Sequence, residues 1–138
     1  MAYKPAKALM LAFLIWLVGF IWGSVVFMVP ALKAAAPIPF ISSNPWVSFP
    51  ILLAWIPMSY TIAVSHLRPA PDPRLEGLRL GGVFALVNLV LDLGILVIVF
   101  KAGAPYFASL TVWLGYLLLF LLPWLAGRTL EGRRPHSA

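Results

Sequence analysis

Arg79-Leu80-Gly81-Gly82-Val83-Phe84-Ala85-Leu86-Val87-Asn88-Leu89-Val90-Leu91-Asp92-Leu93-Gly94-Ile95-Leu96-Val97-Ile98-Val99-Phe100 is the stretch that decides the fold. Between Arg79 and Phe100 only Asn88 and Asp92 are polar. About 20 helical residues, rising 1.5 Å each, cross a hydrocarbon core about 30 Å thick. The segment therefore predicts a transmembrane helix over residues 79–100. Similar apolar runs cover residues 8–29, 47–65 and 106–126. The first is too long for a signal peptide and lacks a small-residue cleavage site, so it reads as a true span.

The whole composition agrees. Hydrophobic residues make up 62% of the 138-residue chain and charged residues 10%, with mean hydropathy +0.98. A soluble domain has about 45–50% apolar and about 25% charged residues. A soluble enzyme and a disordered tail are excluded. The fold class is all-α, an integral-membrane four-helix transmembrane bundle forming a single domain over residues 1–138.

The charges orient it. Lys4, Lys7, Arg68, Arg74, Arg79, Arg128, Arg133 and Arg134 fall on one side of a four-span map, and Lys33 and Lys101 on the other. The positive-inside rule then puts both termini in the cytoplasm, with the spans in the cytoplasmic (inner) membrane. So uneven a split argues against dual topology. The net charge of +6 belongs to span ends, so no nucleic-acid partner is expected. Without Cys, and with His66 and His136 outside the apolar runs, no metal or cofactor is expected. The absence of Gln, two Asn and 13 Pro fit a heat-adapted source.

Asp92 is the only acid within an apolar run. Twelve residues into its span, it is expected about 18 Å deep. A charged Asp at a helix centre costs roughly 2.5–3.5 kcal/mol, which implies a partner, a neutral state or water. No span carries a cation, so a neutral, protonated Asp92 is expected. At 100° per residue, Gly81, Ala85, Asn88 and Asp92 share one face, which Gly77 continues. This stripe should face the bundle interior. Its small residues either admit another helix, with Asn88 and Asp92 as hydrogen-bonding glue, or leave a wet path to a titratable acid.

Depth matching brings Trp22 and Ser24, Trp55 and Ser59, and Trp113 and Tyr116 level with Asp92. The candidate binding cluster is therefore Asn88, Asp92, Tyr116, Trp113, Trp55 and Trp22. Gly19 and Gly23 form GxxxG, a pattern for close crossing within the chain or in a dimer. Pro57 predicts a kink in the second span. The apolar link over residues 34–41 is expected to cap the bundle, and Trp46 and Trp124 to sit at the two interfaces.

Several transporter and enzyme families are ruled out by residues. The first span lacks the Glu of small multidrug transporters. The Gly-rich Arg motif of fluoride channels, the Cys of quinone-linked oxidoreductases, the clustered Asp of lipid phosphotransferases and the in-membrane His of rhomboid proteases are also missing. One likeness remains. Glu76-Gly77-Leu78-Arg79-Leu80-Gly81, followed by Asn88 and Asp92, resembles the third span of small uncharacterised prokaryotic four-span membrane proteins. In that group a Glu-Gly pair opens the span and Asn-x-x-x-Asp follows. The resemblance implies the architecture and points to Glu76, Asn88 and Asp92, and it implies no activity.

The expected function is non-enzymatic. It is that of a small protein in the lipid bilayer that associates with itself, as a homo-oligomer, or serves as an accessory subunit of a larger membrane complex. The alternative is a proton- or cation-coupled small transporter or channel centred on Asp92.

Overall fold

The computed structural model describes residues 4–29, 45–99, 101 and 104–133. Helix α1 spans Pro5–Met28, with a proline in its first turn, where the missing N–H is no loss. Helix α2 spans Pro45–Leu67 and runs on through Pro50 and Pro57. The Thr61 hydroxyl donates to the Pro57 carbonyl at 2.8 Å. Helix α3 spans Pro73–Leu91 and continues as a wider π-helix over Asp92–Val99. A short 3₁₀ turn, Ala104–Ala108, leads into helix α4, Leu110–Gly132.

Four segments are long and apolar enough to cross a membrane: Pro5–Val26, Phe49–Leu67, Pro73–Val99 and Leu110–Gly132. The protein is an all-α, multi-pass membrane bundle. The span boundaries differ from the sequence reading: the first begins at Pro5 rather than 8, the second ends at Leu67 rather than 65 and so takes in His66, and the fourth ends at Gly132 rather than 126. The third helix begins at Pro73 rather than 79, because Asp72 caps it by accepting the Leu75 N–H at 2.9 Å. The fourth begins at Leu110 rather than 106, because the residues before it wind as the 3₁₀ turn. The 34–41 link, Lys33, Trp46, Arg134 and His136 lie outside the described residues and side chains.

The helices pack in the ring order α1–α2–α4–α3, with α3 against α4 the most extensive contact. Glycine explains that contact. A Cβ added to Gly81 would sit 2.3 Å from the Phe120 carbonyl oxygen, and one on Gly77 would sit 2.6 Å from that of Pro123. From the other side, a Cβ on Gly127 would meet the Pro73 carbonyl oxygen at 2.2 Å. Backbone therefore touches backbone, as small residues allow between membrane helices. The core beside this seam is also small-residue rich: Ala8, Ala12, Ala63 and Ala126 pack with Ile15, Leu67, Leu80, Phe84 and Leu119. Leu86, Val90, Leu93 and Ile98 point outward, as a lipid-facing surface requires.

Up-and-down topology gathers Lys4, Lys7, Arg68, Arg74, Arg79, Arg128 and Arg133 at one end, here called the basic end. Among the described residues Lys101 is the cation of the other end. At the basic end Arg128 stacks over Trp124, 5.1 Å from the ring centroid.

Gly19 of the GxxxG pair is used inside the chain. A Cβ on Gly19 would lie 2.6 Å from the Trp55 ring, and Gly23 is buried. Gly19→Leu should therefore destabilise the monomer by about 1–3 kcal/mol, read as an earlier unfolding midpoint in mixed micelles. An unchanged midpoint would mean that Trp55 moves aside freely.

Candidate functional site

The polar centre forms where α3 widens. The Asp92 N–H is shared between the carbonyls of Asn88 and Leu89, and the π-helical winding begins at this residue. Such widened turns recur at functional positions. Asp92 is seven residues from Val99, where the span ends, and nineteen from Pro73, where it begins, so it lies in the half of the span away from the basic end.

Three donors from three elements converge on its carboxyl group. The Trp16 indole of α1 donates to Oδ1 at 2.8 Å. The Tyr106 hydroxyl, from the 3₁₀ turn, donates to Oδ2 at 2.8 Å. The Tyr116 hydroxyl of α4 donates to the same Oδ2. Asp92 is 7% exposed. Leu96, Tyr106, Val112 and Tyr116 form an apolar wall around it, backed by Phe20, Leu89, Val97 and Phe107. Trp16 is itself stacked on Phe20 at 5.0 Å, which fixes the indole plane.

Both carboxyl oxygens thus have partners, as a buried polar group in lipid requires. A tyrosine hydroxyl can accept as well as donate, so the same ring of partners can serve a carboxylate or a protonated acid. Burial holds the Tyr106 hydroxyl above the ordinary phenol range, which keeps it protonated.

Asn88 lies one turn nearer the basic end, 1% exposed. Its Nδ2 donates to the Phe84 carbonyl at 2.8 Å and, at 3.5 Å, to the Ala12 carbonyl of α1. It ties α3 to α1 separately from Asp92. Its Oδ1 and the Ser59 Oγ are buried without a partner among the described residues.

Of the six candidate residues, then, Asp92 and Tyr116 bond directly and Asn88 sits one turn away. Trp55 donates instead to the Ile15 carbonyl at 3.2 Å, filling the space left by Gly19 and Gly115. Trp113 is half-exposed and donates to the Phe107 carbonyl at 2.6 Å, with its ring edge-on to Tyr116. Trp22 is not among the donors to Asp92, and Ser24 donates to its own helix at Phe20. The packing glycines Gly77 and Gly81 face α4, and Ala85 is half-buried beside them.

Trp16 and Tyr106 were missed by depth matching. Asn88 meets Ala12 and Asp92 meets Trp16, a constant offset along two parallel helices. That register brings Gly81 level with Pro5, so α3 begins about two turns nearer the basic end than α1. Aligning the ends of the apolar runs selects Trp22 instead. The run over 106–126 makes residue 106 the first of a span, whereas Tyr106 lies buried on the 3₁₀ turn before the helix. The apolar Tyr106-Phe107 pair within a short link was its available signal.

Compared with protein family models, curated proteins and solved structures, the chain finds no match.

Proposed function

We propose that the protein is a non-enzymatic inner-membrane bundle that works through its lipid-facing sides, assembling with itself or serving as an accessory subunit of a larger membrane complex. The observation that carries this reading is the state of Asp92. Both of its oxygens accept from donors of α1, the 3₁₀ turn and α4, so its hydrogen bonds tie elements of the bundle together. Protein extracted into polymer-bounded native bilayer discs should sediment as more than one copy or as part of a larger assembly. A monomer alone in the disc would overturn this reading.

One observation favours a second reading, a proton- or cation-coupled path centred on Asp92. Tyr106 belongs to the connecting turn, so the acid has a hydrogen-bonded neighbour leading towards the far end. Proton uptake by vesicles containing the purified protein separates the two. Flux that is abolished by Asp92→Asn would establish the second reading, and no flux above protein-free vesicles is the result the first expects.

The orientation follows from the charges: both termini and the 68–72 turn face the cytoplasm. Single cysteines at Lys4, Pro71 and His136 should resist an impermeant thiol reagent in intact cells, while one at Ala102 should react. Labelling of any of the first three from outside would reverse the topology.

A further inference from the structure

We propose that the groove between α1 and α2 at the basic end holds the phosphate of an anionic phospholipid headgroup. A cavity of about 220 Å³ opens there, lined by Lys7, Leu11, Thr61, Ile62, Ser65 and His66. Its polar residues come from both helices and its position is at the ends of two spans, since one begins at Pro5 and the other ends at Leu67. That is the level of lipid headgroups.

The charge balance of the groove suits an anion. Lys7 stands in the first turn of α1, where unpaired backbone N–H groups and the helix dipole add positive potential, and that turn holds no acid. The charges acting on His66 are those of Lys7, Lys4 and Glu76. Two cations thus face one anion, and Glu76 is buried on α3 rather than lining the groove. The exposed Ser65 hydroxyl adds a donor beside Lys7.

The apolar side of the groove suits a lipid rather than a free ion. Lys7, Leu11, Leu14 and Val18 recur at three- and four-residue spacing along one face of α1. Leu14 and Val18 are exposed, and so offer an acyl chain a track leading from the charged head into the membrane. Basic pockets between transmembrane helices bind anionic headgroups through this combination.

Native mass spectrometry of the full-length protein in detergent tests the site, with phosphatidylglycerol, phosphatidylcholine and inorganic phosphate as the three probes. Phosphatidylglycerol should bind best, and Lys7→Gln should weaken it about fivefold, the share of one cation at a membrane surface. Arg79→Gln removes a cation at the same end but outside the groove, and should leave binding unchanged. Equal loss in both variants would show diffuse attraction and overturn the site. Equal binding of phosphatidylcholine, or displacement of the lipid by inorganic phosphate, would overturn the assignment to an anionic lipid. Lys7 is exposed, so the variant should fold, and an unchanged unfolding midpoint without lipid confirms that the loss is one of binding.

Discussion

Gly81→Ala is expected to destabilise the folded bundle by about 1–3 kcal/mol, whereas Gly82→Ala, one residue on, should leave stability unchanged or slightly raise it. The two glycines have the same sequence context and opposite surroundings. A Cβ at position 81 would press on the Phe120 backbone, with its carbonyl oxygen at 2.3 Å and its Cα at 3.2 Å, and neither can swing aside as a side-chain tip could. A Cβ at position 82 would meet nothing within 4 Å. The α3–α4 seam must open to admit the extra methyl in the first case. In the second, alanine only reduces backbone freedom. Gly127→Ala should resemble Gly81→Ala, since its Cβ would strike the Pro73 carbonyl. Unfolding midpoints in mixed micelles measure all three. Equal effects at positions 81 and 82 would contradict the close backbone contact.

Asp92→Leu should lower stability by an amount on the order of 1–3 kcal/mol, because it leaves the Trp16 indole and the Tyr106 and Tyr116 hydroxyls without their common acceptor. Asp92→Asn should cost much less. Its amide oxygen can still accept from Trp16, and its NH₂ can donate to the tyrosine oxygens, since a hydroxyl accepts as readily as it donates. An Asn variant as unstable as the Leu variant would mean that the negative charge, rather than the hydrogen bonding, holds the cluster.

Architecture was legible in the sequence because it depends on coarse quantities. Run length sets the number of spans, and short links between successive spans set which ends lie together. The inward stripe of α3 was also legible: Gly77, Gly81, Asn88 and Asp92 are all buried and lie on the regular α-helical part or at its end. The partners of Asp92 were legible only in part. Tyr116 was found, but Trp16 depends on the axial offset of α1 and α3, which side-chain packing sets and hydropathy does not. Tyr106 depends on a link that turns inward. Beyond Asp92 the chain winds as a π-helix, so a wheel drawn at 100° per residue loses its meaning there. The GxxxG motif left its partner open, and at Gly19 that partner is the Trp55 ring of the same chain, a side chain set into a notch rather than a second backbone.

The central claim is that Asp92 is an internal clasp whose bonds hold separate elements of the bundle together. A double-mutant cycle between Asp92→Leu and Tyr106→Phe, read from unfolding free energies of the full-length protein, tests it most directly. Tyr106 comes from the connecting turn and Asp92 from α3, so their coupling reports the tie between those two elements. The account predicts that once Asp92 is leucine, removing the Tyr106 hydroxyl costs less, with a coupling energy of about 0.5–2 kcal/mol. Strictly additive effects would show that Asp92 does not hold the turn and would contradict the clasp.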